Sequence, residues 1–570
     1  MFTLIGLLTS WAITAQWSDD PLVNNQLTQE RESIYLFDHG VTKDGLSYIV
    51  FNRLVNENIA TFLQIVDREG VKLFPGDGKL ISNEETWTFL LVGQLLFVDK
   101  DGNALLPVAD CKNSDAEGLS YRVYKVSPAG EHLWSPEGVT LGSPIADGFE
   151  SKMNIIQLED SSYVFTYIRE ENSNLPKIQL KHVSKNGELL ESRELQENGV
   201  RYDYPYLANT GYGQFALVYI RAGVLLAQKF DFDLTSIWTQ PVRIYAGGFP
   251  GVPLQNVISV HPDPQGGVFV AWHDDRDGNN VESVHIAHVK ENGDLGFTGN
   301  TGGEKVSYAN YRGLRPQIAY NEKNDCLYAI WYEINSGQTY QRLVIQKIAR
   351  SGELLWETEG LLIQETNREE IIHYSIHSEE DQVAVFYLIQ HGHADMSAFA
   401  TLIDGTTGNF VWTDEKVEFS TNVSRKVKLF SSPLIAGSYW LTIWGDNRDG
   451  VSNDYPPLYM QKVNRDASLG GIPTAIRPLH KAETTFGVKP SYVKESTQFS
   501  FENPKAGTVD ISIYTLSGQK AATVFHGKAA QGALRIPWVK PAALSSGIYI
   551  VRLTDAEGTM KTTRIIIHNL

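Results

Sequence analysis

The sequence predicts an all-β protein: a β-propeller, eight blades preferred and seven the alternative, followed by a small C-terminal Ig-like β-sandwich. Three observations predict this. One strand-and-turn pattern recurs eight times, a second aromatic-rich strand precedes each copy, and after residue 470 the repeat gives way to shorter, more regular strands.

The first pattern is an apolar strand, a G-x-L-like turn and a large apolar residue. It reads FLQIVDREGVKLF from Phe62, YRVYKVSPAGEHLW from Tyr121, IQLKHVSKNGELLE from Ile178 and VLLAQKFDFDLTSIW from Val224. It returns as VHIAHVKENGDLGF from Val284, LVIQKIARSGELLW from Leu343, AFATLIDGTTGNFVW from Ala398 and LYMQKVNRDASLG from Leu458. The starts lie 59, 57, 46, 60, 59, 55 and 60 residues apart. A fixed period of this size marks a repeat architecture.

The second strand is SYIVFN at Ser47, QLLFVDK at Gln94, SYVFTYI at Ser162, QFALVYI at Gln214, GVFVAWHDD at Gly267, CLYAIWYE at Cys326, VAVFYLI at Val383 and YWLTIWGDNR at Tyr439. A third strand precedes several of these, as LRPQIAY at Leu314 and NVISVHP at Asn256. A fourth follows the turn, as GVTLG at Gly138 and GLLIQE at Gly360. Four short antiparallel strands per period make a propeller blade, because a lone four-stranded sheet cannot cover both of its apolar faces and blades stacked around an axis can. The rungs of a parallel β-helix, the rival repeat fold, are shorter. Gly70, Gly130, Gly187, Gly293, Gly352 and Gly408 fall where the hairpin between third and fourth strands needs φ > 0; the copies at Phe232–Leu234 and Asp466–Ala467 lack the glycine.

Two second strands run into nearly one loop, WHDDRDG from Trp272 to Gly278 and WGDNRDG from Trp444 to Gly450. Asp99–Asn103 (DKDGN) reads as a reduced version. Asp275, Asp277 and Asn279 offer alternating oxygens for calcium, and Asp446, Asp449 and Asn453 do so less neatly. Calcium needs six to eight oxygens, however, and the glycine is misplaced for an EF-hand. The scaffold reading packs the Trp between sheets, lets the Asp cap backbone N–H groups and ties the loop with Arg276 or Arg448. Scaffold is the expectation, with no cofactor and no metal.

The chain has no H-E-x-x-H, G-x-S-x-G, P-loop or C-x-x-C, and no match to the sialidase Asp-box. Glycoside cleavage needs only two carboxylates across an opening. Glu170, Glu171, Asp274, Asp275, Glu333 and Asp446 stand at strand ends, but with 67 acidic residues such a list has little specificity. Asp274, Asp275, Glu333 and Asp446 are therefore also the binding candidates. His391 and His393 read as a solvated turn.

Lys and Arg number 49 against 67 Asp and Glu, a net of −18, which argues against a nucleic-acid partner. From Lys481 onward 11 basic and 6 acidic side chains give +5, leaving −23 on the body. Cys111 and Cys326 are too few for a disulfide framework, and a single bridge between them stays open. Residues 1–16, MFTLIGLLTSWAITAQ, carry an apolar run and small residues ahead of a cleavage point, as a secretory signal does, though without a preceding Lys or Arg. A buried N-terminal strand is the alternative. No stretch reaches the ~20 apolar residues of a membrane-spanning helix.

The repeat body spans 17–470, and residues 471–480, with two prolines, form a linker. Beyond it come Phe499–Phe501, Asn503-Pro504, Thr508–Leu516 with the turn Ser517-Gly518, Ala533–Trp538, LSSGIYIVRL from Leu544 to Leu553, and Thr562–Ile567: about seven alternating strands. This order, with IYTLSGQK from Ile513 to Lys520 and the closing TTRIIIHN, resembles the type A C-terminal sorting domain of type IX secretion cargo in Bacteroidota. The motif positions are Asn503, Pro504, Gly518, Gly547, Tyr549 and Arg564, the last an Arg where such tails often have Lys. The resemblance covers residues 481–570. It implies entry to the periplasm, recognition by the type IX translocon, removal of the tail, and release or attachment at the cell surface. An accessory carbohydrate-binding sandwich is the alternative.

The expected function is thus a non-enzymatic, exported propeller binding an extracellular protein or glycan. The alternatives are a glycan-degrading hydrolase using carboxylates at the propeller mouth, and a structural adhesion element.

Overall fold

The structure, a computed structural model, describes residues 17–28, 36–55, 58–82, 88–89, 93–110, 120–145, 148–171, 174–245, 258–297, 302–448, 450, 456–471, 486–489, 492–503, 505–515, 519–555 and 560–567. The expected signal segment, residues 472–480 of the linker, and Cys111, Asp449, Asn453, Pro504 and Gly518 lie outside them. The chain divides into two compact units, Met1–Ile472 and Pro473–Leu570. Among the described residues it is all-β, without a helix.

Within the first unit the described strands form eight antiparallel sheets, seven of four strands and one of five. In chain order the first runs Phe37–Val41, Ser47–Val55, Asn58–Val66, Lys79–Ser82. The second sets Thr88–Phe89 and Phe97–Val98 against Ala104–Asp110, followed by Ser120–Val126 and Val139–Thr140. The third is Gly148–Gln157, Tyr163–Glu171, Lys177–Val183, Leu189–Leu195, and the fourth Tyr202–Gly211, Gln214–Arg221, Val224–Asp231, Val242–Tyr245. The fifth is Ser259–Pro262, Val268–Asp274, Ser283–Val289, Glu304–Lys305, and the sixth Arg312–Asn321, Cys326–Ile334, Tyr340–Ala349, Leu361–Asn367. The seventh is Glu370–Glu379, Gln382–Gly392, Asp395–Asp404, Lys416–Ser420. The eighth has Lys426–Ser431, Tyr439–Asp446 and Leu458–Asn464, and its outer strand is Asn25–Gln26 from the other end of the unit.

The central strands of these sheets are buried on both faces, so they are continuous apolar runs rather than alternating ones. Each core cluster joins neighbouring sheets. Tyr48, Val50, Leu106 and Tyr124 join the first to the second, and Val218, Ala227, Val270 and Trp272 the fourth to the fifth. Ile49, Phe51, Leu441 and Ile443 join the first to the eighth. First strands lie beside first strands of the adjacent sheets. Side chains stitch them there: Asn154 Oδ1 accepts from Leu207 N at 2.7 Å, Gln94 Oε1 from Ile155 N at 3.0 Å, and Ser259 Oγ from Ile318 N at 3.1 Å.

All six glycines expected at the third-to-fourth hairpin have positive φ, from 74° at Gly408 to 95° at Gly352. The two copies without glycine make the same turn with Leu234 (φ 61°) and Ala467 (φ 69°). The large aromatic that ends one copy lies on the turn of the next sheet. Trp134 Nε1 donates to Lys185 O at 2.9 Å, Trp238 Nε1 to Glu291 O at 3.0 Å and Trp412 Nε1 to Arg465 O at 2.9 Å. The eighth copy ends ASLG with no aromatic, and Trp17 takes the place, donating to Arg68 O at 2.8 Å. A Cβ at Gly187 would approach the Trp134 ring to 2.9 Å at a φ of +91°. Gly187→Ala is therefore expected to cost about 2 kcal/mol, and Ala467→Gly to gain about 0.5 kcal/mol, as read from denaturant midpoints.

Two expectations are corrected. QLLFVDK is not the second strand of its sheet: Phe97–Val98 pairs at the first position and the second strand is Ala104–Asp110. The aromatic run looked more strand-like than ALLPVAD, whose proline and aspartate weaken the pattern. Asp99–Asn103 is consequently the hairpin between first and second strands, closed by Asp99 N to Asn103 O at 2.8 Å, and not a counterpart of the Trp272–Gly278 loop.

The second unit has two sheets around one core of Val493, Phe499, Phe501, Ile511, Trp538 and Val551 with their neighbours. One sheet is Gly487–Lys489, Ser496–Asn503, Gly532–Val539; the other orders Tyr492–Val493, Met560–Ile567, Gly547–Thr554, Gly507–Thr515, Lys520–Ala529. Tyr492–Val493 pairs in parallel and the rest antiparallel.

Candidate functional site

The two ends of each sheet in the first unit differ. One carries the first-to-second and third-to-fourth hairpins. The other carries the second-to-third loops and the entries to the first strands, and the expected site residues of this unit that are among the described residues lie there.

Asp274 ends the second strand of the fifth sheet and is 1% exposed. Trp272, two residues back on the same strand face, donates Nε1 to its Oδ2 at 2.7 Å. Arg276 closes on both oxygens, Nε to Oδ1 at 2.8 Å and Nη2 to Oδ2 at 2.7 Å. The guanidinium lies 4.6 Å from the centroid of Tyr245, which is stacked on Trp272. Asp446 repeats the arrangement in the eighth sheet. Trp444 Nε1 donates to Oδ2 at 2.9 Å, Arg448 Nη2 to Oδ2 at 2.6 Å and Ser424 Oγ to Oδ1 at 2.6 Å, while the fully buried Lys426 Nζ stands 4.0 Å away. Glu333 is a looser case: Trp331 Nε1 donates to Oε1 at 3.0 Å, while Arg342 Nε stands 3.5 Å from Oε2 without a hydrogen bond. Burial pushes the carboxyls of Asp274 and Asp446 up, but Arg276 and Arg448 outweigh it and hold both below the usual carboxylate range. Burial wins at Glu333, whose carboxyl is raised. Lys426 is lowered to about 8 by burial, against the pull of Asp446.

Asp275 accepts from Asn279 N at 3.0 Å and Asn280 N at 2.9 Å, and Asn279 Oδ1 accepts from Val281 N at 2.8 Å, so these oxygens cap the turn; Asp277 is exposed. Among the described residues no three His, Cys, Asp or Glu converge as metal ligands. His391 bonds Glu369 at 2.9 Å and Ser397 at 3.1 Å on an exposed turn beside exposed His393. Cys326 is buried and unbridged. In the second unit Asn503 is buried and donates to Ala530 O at 2.9 Å, Gly547 opens a strand, Tyr549 Oη donates to Ser545 O at 2.9 Å and Arg564 is exposed.

Beside the loops, on the first strands, sits a set of residues the sequence reading missed. Pairing slips between Ser151 and Asn154, Asp203 and Tyr206, Leu314 and Gln317, Ile371 and His373, and Val427 and Leu429. Four of these five bulges hold a non-glycine residue at positive φ: Lys152 (58°), Tyr204 (49°), Arg315 (53°) and Lys428 (47°). Repeated left-handed backbone at large side chains is strain that the surrounding sheets must hold in place. The signal was present as Tyr204-Pro205 and Arg315-Pro316, since proline inside a strand marks a bulge. Lys152 bonds Asp203 and lies 3.7 Å from the centroid of Tyr204. Arg315 is exposed, its backbone fixed by N donating to His273 Nδ1 at 3.2 Å and by Tyr374 Oη donating to its O. Lys428 approaches Phe37 at 5.7 Å.

Histidines gather around these strands. Burial lowers His39 to about 3, and His273, His373 and His377 to about 4; Arg315 and Lys428 add to the effect at His373. These stay neutral in the folded protein while the unfolded chain protonates near 6.5, so folding stability falls as pH drops from 6.5 toward 4. Asp38, raised to about 6, and Glu150, to about 7, act in the opposite sense by holding protons in the folded state. His285, lowered to about 4 by burial, adds to the first set, so the unfolded chain binds the more protons below pH 6.5. Thermal melts from pH 7 to 5 are expected to show a steadily falling midpoint.

No protein-family model and no curated protein matches the chain. Solved structures do. Prolyl oligopeptidase B from Galerina marginata matches at 12% identity and TM-score 0.40 over 73% of this chain and 56% of that one, so the match spans little more than half of that enzyme. The β-propeller domain of the Trilobed protease from Pyrococcus furiosus matches at 9% identity and TM-score 0.36 over 68% and 98%. The α-L-arabinofuranosidase Arb93A from Fusarium graminearum matches at 12% identity and TM-score 0.32 over 56% and 95%. At these scores the likenesses assign neither a family nor an activity.

Proposed function

We propose that this is an exported protein whose body is an eight-bladed β-propeller that binds an extracellular protein or glycan without cleaving it. Its Ig-like tail, residues 481–570, would direct it through the type IX translocon. The observation that carries the binding reading is the engagement of Asp274, Glu333 and Asp446. Each accepts its own strand's indole N–H; Asp274 and Asp446 also accept from an arginine, and Glu333 faces Arg342 at 3.5 Å, which supports a scaffold role for them. A hydrolytic pair would instead stand free across an opening, ~5–9 Å apart. The cluster joining the first sheet to the eighth, and the pairing of Asn25–Gln26 with Leu458–Asn464, support closure of eight blades into a ring. Signal cleavage after Gln16 would leave the chain starting at Trp17, the residue that covers the third-to-fourth turn of the first sheet.

Arraying the purified chain on immobilised glycans and extracellular proteins, beside a glycosidase panel, tests the binding reading. Retention without turnover is expected, and turnover abolished by a carboxylate substitution would replace it with the hydrolase. For the tail, a signal-bearing reporter fused to residues 471–570 should reach the surface or medium of a type IX-competent host and stay periplasmic without the fusion. Periplasmic retention of the fused reporter would remove the sorting assignment.

A further inference from the structure

Resting on that binding reading, we infer that the ligand is an acidic glycan whose carboxylate or sulfate group sits at the level of the first-strand bulges, between Arg315, His373 and Lys428. Cross-sheet bonds set this level. Gln317 Nε2 donates to Tyr374 O at 2.8 Å and Tyr374 Oη bonds Arg315 O, which aligns the sixth and seventh first strands near residues 315 and 373. Ser375 bonds Ser431 and His377 bonds Ser431 at 2.8 Å, which aligns the seventh and eighth near 373 and 428. Three consecutive sheets thus bring a guanidinium, an imidazole and an ammonium to one stretch of the inner surface.

The charge there is unusual for this protein. The body carries −23, yet among the described residues Arg315 makes no ion pair, and it is exposed in a strand whose other residues are mostly buried. Asp38, whose charge acts on Lys428, accepts from His39 N at 2.8 Å, Leu95 N at 3.0 Å and Leu96 N at 3.1 Å, so it is already committed. Lys152 is matched by Asp203. The uncompensated charge therefore centres on Arg315, whose planar fork suits a carboxylate or sulfate. The strained φ at Arg315 and Lys428 fixes both backbones before any ligand arrives.

Aromatic surface favours a sugar over an acidic peptide. The Arg315 guanidinium is 5.9 Å from the centroid of Tyr332, which is partly exposed, while Tyr374 and Phe37 are buried behind this surface. Tyr332 beside Arg315 offers an acidic pyranose an apolar plane next to a charge partner.

The test is calorimetric titration of the full chain with four probes: trigalacturonic acid, a chondroitin sulfate tetrasaccharide, neutral maltotriose and a hexaglutamate peptide. One of the two acidic sugars is expected to bind, and which one does separates carboxylate from sulfate. Its affinity should drop with added salt and fall at least tenfold in Arg315→Gln, whose melting midpoint should stay within a degree of the parent. Lys428→Met should weaken it less. Equal binding to Arg315→Gln, preference for the neutral sugar, binding of hexaglutamate alone, or silence of both acidic sugars would each overturn the inference. If the arrays find a neutral glycan or a protein ligand whose binding ignores Arg315→Gln, the binding reading stands and only the acidic site falls.

Discussion

Replacing Asp446 by alanine is expected to lower folding stability by about 3–5 kcal/mol, among the largest effects of any single side chain here. Its carboxylate is 0% exposed and serves the Trp444 indole, Arg448, Ser424 and the field at Lys426. Alanine would leave an ammonium buried with only Met396 O, Asn422 O and Ser424 Oγ around it, and an indole N–H without its acceptor. The double change Asp446→Leu with Lys426→Met removes both charges and should cost clearly less than Asp446→Ala alone. Urea midpoints of the two variants check this. A double variant as unstable as the single would mean that the loss is one of packing rather than of stranded charge.

Trp17→Ala is expected to cost a further 3–5 kcal/mol, and deletion of residues 17–28 to expose the eighth sheet to aggregation. Trp17 is 3% exposed and caps the third-to-fourth turn of the first sheet. The segment behind it is tied down along its length. Gln461 Nε2 donates to Ser18 O at 2.7 Å, Asn24 Nδ2 to Phe419 O at 2.7 Å, Arg448 Nη1 to Val23 O at 2.9 Å, and Leu27 N to Leu458 O at 2.8 Å. Without it Leu458–Asn464 becomes an unpaired edge, and two ends of one unit lose their join. Hydrogen exchange should show protection lost first at Leu458–Asn464 and at the turn around Arg68, while the fourth and fifth sheets keep theirs.

What was legible in the sequence follows from what is local. The glycine turns, the third strands and seven of the eight second strands are set by side-chain pattern and by φ within a few residues, so they appear in the repeat itself. At Leu234 and Ala467 the flanking bonds impose the same turn, from Asp231 N to Thr235 O and from Asn464 N to Ser468 O, although glycine is missing. The Trp–acid–Arg contacts of the Trp272 and Trp444 loops were readable because indole, carboxylate and guanidinium sit two residues apart on one strand end. Contributions from a distance were not readable. Asn25–Gln26 is a strand only because Met460 and Tyr459 lie beside it, more than 430 positions away. Arg315 had only the proline after it as a local signal and Lys428 had none, since the register of their bulges is fixed by neighbouring sheets.

Incubating the full chain with the glycan it retains, then weighing bound and released ligand by mass spectrometry, tests the central functional claim most directly. The account predicts that the ligand comes back at unchanged mass after prolonged contact, and that Asp274→Asn and Glu333→Gln lower the melting temperature while the folded fraction binds with unchanged affinity. Shortened ligand whose appearance stops with either substitution would show that these carboxylates cleave a substrate, and the body would be an enzyme.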